Sequence, residues 1–317
     1  MRRKPLGPDA TPPGPVPASN AGPGPARAGP APPEPGLHLV ATPIGAARDI
    51  TLRALDTLAA ADVLAAEDTR TLRKLLDLHG VPLGNRPLLA YHDHNAAGMR
   101  PRLLSALRDG RSVAYASEAG TPLVADPGYA LARAAIEDGH KVIAVPGASA
   151  VLSALSVSGL PSDRFLFAGF PPSQARARRD WARSLAEVPA TLVIYESPRR
   201  VAGLLEDLCE VWGGTRRAAL CRELTKRFEE VRRGTLASLA NDLGEAVLRG
   251  EVVLVVDRPV AETAGAADTV DELLRDRLQR LTVKAAVLDV TAVTGLPRRQ
   301  VYDAALRLSA EGSEGKE

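Results

Sequence analysis

From Leu37 to Asp257 the chain alternates short, continuous apolar runs with longer amphipathic stretches, and this constrains the fold more than any other feature. The runs are LHLVATP (37–43), VLAAED (63–68), LLAYHD (88–93), SVAYAS (112–117) and KVIAVP (141–146), then FLFAGF (165–170), TLVIYES (191–197), AALCREL (218–224) and EVVLVVD (251–257). They are continuous rather than alternately polar, as strands buried on both faces are. One helical stretch between them begins at Asp49, a residue suited to capping, with Leu52, Leu55 and Leu58 on one face. Another covers 69–78 and stops at Gly80, with Pro82 beyond. Strand-helix alternation over this length predicts an α/β fold with a largely parallel sheet.

The same pattern divides the chain. Residues 1–35 hold 12 of the 26 prolines and no aromatic residue, the composition of a disordered tail. The Gly22-Pro23-Gly24 within it has no strand before it and no helix after it, so it is not a nucleotide loop. An N-terminal α/β domain is expected over 36–150 and a second over 151–260, with the stretch from Pro146 to Gly159 as the hinge. After Arg258, AETAGAAD (261–268) reads as a linker. Three short helical patterns follow over 268–310: Leu273, Leu274, Leu278 and Leu281, then Val283, Ala286, Val287 and Val290, then Val301, Ala305 and Leu308, entered through Gly295-Leu296-Pro297. They fit a small helix-turn-helix-like module or a helical cap on the second domain.

Composition narrows the function classes. Apolar residues make up 45% and charged residues 25%, as in soluble globular proteins, while aromatics at 3% leave the core to Ala, Val and Leu. No apolar run approaches the roughly 18 residues of a membrane span. The basic N-terminus lacks the apolar segment of a secretory signal. Cys209 and Cys221 are too few for a disulfide framework or, by themselves, a zinc site; they fit the reducing cytoplasm. The net charge of +2 decides nothing about nucleic acid, but its distribution bears on it. Basic residues gather at Arg176, Arg178, Arg179 and Arg183, at Arg199 and Arg200, at Arg216 and Arg217, and from Arg222 through Lys226 and Arg227 to Arg232 and Arg233. Solvated helix faces and a polyanion-binding surface are both open readings.

Ligands of open α/β sheets sit beyond the carboxyl ends of the strands. Four loops there carry Gly or Pro: Thr42-Pro43-Ile44-Gly45, Ser117 to Pro122, Asp126-Pro127-Gly128 and Pro146-Gly147-Ala148-Ser149. None has a P-loop Lys or a G-x-G-x-x-G pattern, which argues against a triphosphate or a dinucleotide. A ligand with little phosphate, held by main-chain groups, fits better, and S-adenosylmethionine is one. Ordinary turns are the competing explanation. Glu67-Asp68-Thr69-Arg70 reads as a helix cap with an ion pair or as part of a site. On a strand, His92 and His94 of His92-Asp93-His94-Asn95 would share one face, yet no third ligand of suitable spacing accompanies them, so no metal is expected. Tyr195 to Arg200 and Arg222 to Lys226 combine acids and bases at strand ends.

Together and in this order, the strings VATPIG, DITLRAL, AAEDTR, HDHN, AGTPLVADPG, VPGASA, SGLPSDRF, YESPRR and RELTK, with Lys284-Ala285-Ala286 and Val301-Tyr302, resemble the bacterial 16S rRNA ribose 2′-O-methyltransferases of the tetrapyrrole-methylase superfamily. The resemblance runs from Leu37 to Leu308. It implies a two-domain tetrapyrrole-methylase-like fold with the small helical module, and S-adenosylmethionine in the cleft between the α/β domains. Cofactor contacts would come from Pro43, from Ser117, Glu118, Ala119, Gly120 and Thr121, from Pro146, Gly147, Ala148 and Ser149, and from Tyr195. It further implies a cytoplasmic homodimer acting on 16S rRNA within the small ribosomal subunit, at the cytidine conventionally numbered 1402. Arg70, Arg199, Arg200 and Arg222 would hold the RNA. Glu223, His92, Glu118, or Lys226 if burial lowers its pKa, would take the proton from the ribose hydroxyl. The alternative is a same-fold enzyme acting on a tetrapyrrole or another small molecule. The chain departs from the family pattern at Ala46, where Asn is usual, at Glu118, where Asp is usual, and at Arg199, where His is common.

Overall fold

The computed structural model describes residues 31–124, 126–244, 248–259, 263–294 and 296–314. The expected tail falls almost wholly on residues 1–30, and these, with Gly295, lie outside the described residues. The first half runs β1 (Gly36–Val40), α1 (Leu52–Ala60), β2 (Val63–Ala66), α2 (Thr69–Leu78), β3 (Leu88–Ala90), α3 (Ala96–Arg108), β4 (Ser112–Ala116), α4 (Gly128–Glu137) and β5 (Val142–Val145). Its five strands form one parallel sheet, ordered β3-β2-β4-β1-β5. Alternate residues feed two cores. Leu37, Val63, Ala65, Val113 and Tyr115 pack with α3 and α4, whereas Val40, Leu64, Ala66, Ala114 and Ala116 pack with α1 and α2. Burial on both faces is why the strands read as unbroken apolar runs.

The second half begins with α5 (Ala150–Ser158) and continues β6 (Phe165–Gly169), α6 (Ala175–Leu185), β7 (Thr191–Glu196), α7 (Val201–Trp212), β8 (Arg217–Arg222), β9 (Glu230–Thr235), α8 (Leu236–Leu243) and β10 (Val252–Val256). The sheet order is β6-β7-β10-β8-β9, and only the β6–β7 pair is parallel. The largely parallel arrangement therefore holds for the first sheet alone. One face of the second sheet packs on α6, α7 and α8; Val193, Ala219, Cys221, Val253 and Val255 on the other pack on α5. The expected hinge is thus a four-residue loop, Pro146 to Ser149, followed by a helix seated on a core. Ile44, from the loop after β1, enters that same second core. Burying such a side chain is worth about 2 kcal/mol, so the loop is anchored across the two halves.

Three further expectations are corrected. Asp49 does not cap α1; it ends a 3₁₀ turn, and Thr51 caps the helix by accepting from the Ala54 N–H at 3.1 Å. Leu52 is correspondingly exposed, and the buried face is Ala54, Thr57 and Leu58. The linker over 261–268 is helical from Thr263, where α9 (Thr263–Leu278) begins. With α10 (Val283–Thr294) and α11 (Arg298–Glu314) it encloses a core of its own around Leu274, Val287, Val290, Val301 and Ala305. Leu281 stays largely outside that core.

Candidate active site

The loops that leave β1, β4 and β5 are tied to one another. Thr42 and Gly120 exchange two backbone hydrogen bonds, each 3.0 Å. The Thr42 hydroxyl donates to the Ser117 carbonyl at 3.2 Å, and the Ser117 hydroxyl donates to the Gly120 carbonyl at 2.7 Å. Thr121 Oγ1 donates to the Ala148 carbonyl at 2.9 Å. Gly120 has φ of +79°, a conformation open to glycine at little strain. A loop cross-linked in this way keeps its main-chain groups at fixed positions.

The loop after β1 also docks on the turn after β8. A Cβ at Gly45 would lie 2.5 Å from Lys226 Cγ, 2.6 Å from Thr225 Oγ1 and 2.9 Å from the Leu224 carbonyl oxygen. Glu223 and Thr225 hold φ values of +51° and +63°, which non-glycine residues seldom adopt. Their surroundings hold them there. Glu223 Oε1 accepts from Lys226 Nζ at 2.8 Å and from the Glu251 N–H at 3.0 Å, and Thr225 N–H donates to Glu229 Oε2 at 2.6 Å. Lys226 Nζ also donates to Glu251 Oε2 at 3.0 Å.

Between these walls lies a cleft of about 580 Å³. The first half contributes Ile44, Ala119, Gly120, Thr121, Val124 and Ser149; the second contributes Ala150, Phe170, Tyr195 to Pro198, Arg200 and Gly250 to Val253. Of the expected cofactor residues, Ala119, Gly120, Thr121, Ser149 and Tyr195 line it. Ser117 is buried beneath the loop, and Pro43, Glu118, Pro146, Gly147 and Ala148 stand outside the lining. Gly147 has a structural reason: a Cβ there would lie 3.0 Å from that of Ala41. Burial pushes the Tyr195 hydroxyl up to about 12.

Of the expected catalytic residues, Glu223 and Lys226 are bonded to each other, and His92 is not among the residues lining the cleft. Glu223 and Lys226 flank the cleft through Glu251. Burial pulls the Lys226 ammonium down, but its bonds to Glu223 and Glu251 outweigh that and its pKa rises. The condition under which Lys226 was a base is therefore not met. The hydrogen bond from Lys226 holds the Glu223 carboxyl below its ordinary value despite burial. His92 follows β3, at the opposite edge of the first sheet from β5. Because β3 ends at Ala90, His92 and His94 lie off the strand and no shared face aligns them; their rings pack edge to face at 6.0 Å. Among the described residues, no three His, Cys, Asp or Glu side chains gather as metal ligands.

The arginines divide into two sets. Arg70 is 87% exposed, beside Asp68, which caps α2; Arg199 is exposed as well. Arg200 is tied down, donating to the Pro171 and Pro172 carbonyls at 2.7 and 3.1 Å. Arg222 pairs with Glu230 at 3.0 Å. Much of the remaining basic sequence turns inward. Arg178 and Arg179 bond Asp207 at 2.6 and 2.9 Å, and Arg216 donates to the Asp257 carbonyl at 2.6 Å while lying over the Trp212 ring. Those three arginines are structural, while Arg176, Arg183 and Arg217 of the same clusters stay exposed, so the exposed basic surface is smaller than the sequence suggested.

The structure adds two features to acids that the sequence already placed in loops at strand ends. Glu67, after β2, is pushed above the ordinary carboxylate range by burial, and the charges of Asp126, Glu118 and Asp93 push the same way. Asp126 is raised too, mainly by burial, and accepts from the Tyr115 hydroxyl at 2.8 Å. Glu196, closing β7, is 97% buried by its 3% exposure, yet lines the cleft. In the sequence it belongs to Tyr195 to Arg200, one of the two strand-end groups that combine acids and bases.

Residues 36–240 match the family model described as Tetrapyrrole (Corrin/Porphyrin) Methylases. Residues 263–309 match the one described as RsmI C-terminal HTH domain. The chain is 48% identical over 283 residues to Ribosomal RNA small subunit methyltransferase I of Mesorhizobium japonicum, covering 89% of this chain and 95% of that one. The protein of the same name from Mycobacterium tuberculosis is 44% identical over 278 residues, covering 87% and 96%. Among solved structures, uroporphyrin-III-C-methyltransferase from Thermus thermophilus is similar with a TM-score of 0.51 and 27% identity, covering 73% of this chain and 97% of that one. Among the described residues, no helix is long and apolar enough to cross a membrane.

Proposed function

Since the chain belongs to the tetrapyrrole (corrin/porphyrin) methylase family, and within it to the ribosomal RNA small subunit methyltransferase I group, we propose that it methylates the ribose 2′-oxygen of a cytidine in 16S rRNA, with S-adenosylmethionine as donor. The observation that carries the reading is the cleft. Its volume of about 580 Å³ suits a ligand of this size. Its lining combines Ile44, Phe170, Tyr195, Val252 and Val253 with cross-linked main chain and with Glu196, Arg200 and Glu251, and includes no lysine. These features fit a donor that is mostly apolar and lacks phosphate. When bound, S-adenosylmethionine supplies a methyl group on a sulfonium sulfur.

The protein's share is alignment and proton removal. Fixing two reacting groups can be worth about 7–11 kcal/mol of barrier. Ile44, Val252 and Val253 shape and dry the cleft. Lys226, kept as an ammonium by its two acids, places positive charge beside Glu251 of the cleft lining, for an RNA phosphate, and Glu223 fixes its position. His92, which follows β3, is the proposed proton acceptor. Arg70 and Arg199, both exposed, are the proposed phosphate contacts. The enzyme is proposed to work in the cytoplasm as a homodimer.

The test supplies methyl-labelled donor with either small ribosomal subunits lacking the modification or uroporphyrinogen. Label on one cytidine ribose is the expected result. Label only in the porphyrin would reject the RNA reading in favour of the small-molecule alternative.

A further inference from the structure

The turn between β8 and β9 carries an aromatic ring in the open. Phe228 is 64% exposed, and the Arg227 guanidinium lies over its ring, 5.4 Å from the centroid. A lone exposed apolar side chain is ordinary. This one differs in how it is held and in what surrounds it.

The backbone beneath the ring is strained and fixed. Glu223 and Thr225 take positive φ values that non-glycine residues avoid, a strain that structures retain mostly where a ligand is gripped. Two backbone bonds close the turn, from the Lys226 N–H to the Glu223 carbonyl at 3.0 Å and from the Glu229 N–H to the Lys226 carbonyl at 3.1 Å. Arg222 and Glu230, paired across the two strands, join its ends at 3.0 Å. Lys226 is bonded to Glu251 of the cleft lining, and Leu224 is buried with Ile44. Phe228 is therefore presented from a rigid support, two residues from a side chain bonded to the cleft wall.

The charge around the ring is positive and uncompensated. The acids of the turn are engaged: Glu223 by Lys226, Glu229 by the Thr225 N–H, and Glu230 by Arg222 and Arg232. Among the described residues, Arg227 has no acidic partner. The same holds for Arg48, on the loop that docks on this turn, and for Arg249, whose carbonyl accepts from Arg222 at 3.3 Å. All three arginines are exposed. An open aromatic ring beside unpaired arginines is the combination that holds single-stranded nucleic acid, the ring stacking on a base and the cations following the phosphates. A second copy of the chain meeting this face with its own would set like charges against each other.

We propose that Phe228 is a stacking platform for an unpaired base of the substrate RNA, beside the nucleotide whose ribose enters the cleft, with Arg227 steadying the ring and Arg48 and Arg249 holding adjacent phosphates. This rests on the RNA reading above. Phe228 is a positioning residue: it touches a flanking base and takes no part in methyl transfer.

The test uses small ribosomal subunits lacking the modification, with wild type and with Phe228→Ala, Phe228→Leu and Phe228→Trp. Filter binding in the presence of S-adenosylhomocysteine and steady-state methylation are measured on the same particles. Phe228→Ala is expected to weaken binding and raise KM by about tenfold or more, the scale of one lost base stack, while kcat at saturating subunits stays within about twofold. Leucine keeps an apolar side chain without a flat face and should resemble alanine; tryptophan should bind at least as tightly as wild type. Because the ring is exposed, melting temperature and S-adenosylhomocysteine affinity should be unchanged in all three variants. Wild-type binding by Phe228→Ala or by Phe228→Leu would overturn the stacking role and leave the RNA reading intact. A fall in S-adenosylhomocysteine affinity, or a change in molecular mass by light scattering, would overturn it too, assigning the ring to the cleft scaffold or to an interface between copies. Wild-type protein that neither binds nor methylates the particles would overturn both readings.

Discussion

The backbone N–H of Ala46 donates to the Thr225 hydroxyl at 3.0 Å, joining residues 179 positions apart. The contact places the loop after β1 against the turn after β8, with Gly45 filling the space between them. It uses the main chain of Ala46, so the bond is independent of which side chain stands there. The two halves of the cleft are therefore registered by a glycine, an amide and a hydroxyl, together with the burial of Ile44 in the second core. Replacing Gly45 by Ala would force a Cβ to within 2.9 Å of the Leu224 carbonyl oxygen, a backbone atom with little freedom to retreat.

Gly45→Ala is accordingly expected to lower stability by about 2 kcal/mol, the usual scale of overpacking. It should also weaken S-adenosylhomocysteine binding, because Ile44 on the cleft wall moves with its neighbour. Urea denaturation and calorimetry on the same variant check both effects. Unchanged values would show that the loop is not pinned at this point.

Asp207 bonds Arg178 and Arg179 at 2.6 and 2.9 Å, and the Asp207 and Arg178 side chains are only 7% and 10% exposed. Asp207→Ala leaves buried guanidinium charge uncompensated and is expected to cost about 3–5 kcal/mol in denaturant unfolding. Replacing Asp207 and Arg178 together by Leu and Met should restore much of that loss, because the pair's own net contribution is small. A double variant as unstable as the single one would contradict this account.

Glu67 gives a pH prediction. Its folded-state pKa lies above the unfolded value, so folding favours the protonated form. Any stability it contributes is fully present below the unfolded pKa and is lost as pH rises through the folded one. Glu67→Gln removes that loss. The variant should melt at a higher temperature than wild type at about pH 8, and the difference should vanish toward about pH 4. A difference that stayed constant over this range would locate the effect in packing instead of ionisation.

The sequence revealed most where burial is uniform. β2 was visible because Leu64 and Ala65 point into two different cores, so no polar residue interrupts the run. β9, EVRRGT, was invisible because an edge strand with partly exposed residues carries no apolar run; its arginines read as a basic cluster. With β9 missed, the antiparallel character of the second sheet was missed too. Residue type also misleads about direction. Arg178 and Arg216 belong to clusters that look like an RNA surface, yet both are buried, and a string of arginines says nothing about which will find an internal carboxylate or carbonyl. The cofactor loops were found through Gly and Pro, but several of their residues proved to be the loops' internal bracing. Glu196 was legible only as one acid of the strand-end group Tyr195 to Arg200, because its burial beside the cleft requires the fold.

Arg199 and Arg200 are adjacent and chemically identical, yet the structure separates their roles. Arg199 is exposed, whereas Arg200 is 34% exposed by side chain, supports the Pro171 and Pro172 carbonyls and lies 3.0 Å from Glu196. Removing Arg199 should leave the melting temperature and S-adenosylhomocysteine affinity unchanged. If it contacts an RNA phosphate, binding to the small subunit should weaken, and the salt dependence of binding should lose about one unit of slope. Arg200→Ala should behave in the opposite order. It strands a buried carboxylate, so about 3 kcal/mol of stability goes first, and donor affinity falls with it as the cleft wall relaxes. Thermal melts, calorimetry and filter binding at two salt concentrations distinguish the two outcomes. Equal stability losses in the two variants would mean that Arg199 is part of the scaffold and that the RNA contacts lie elsewhere.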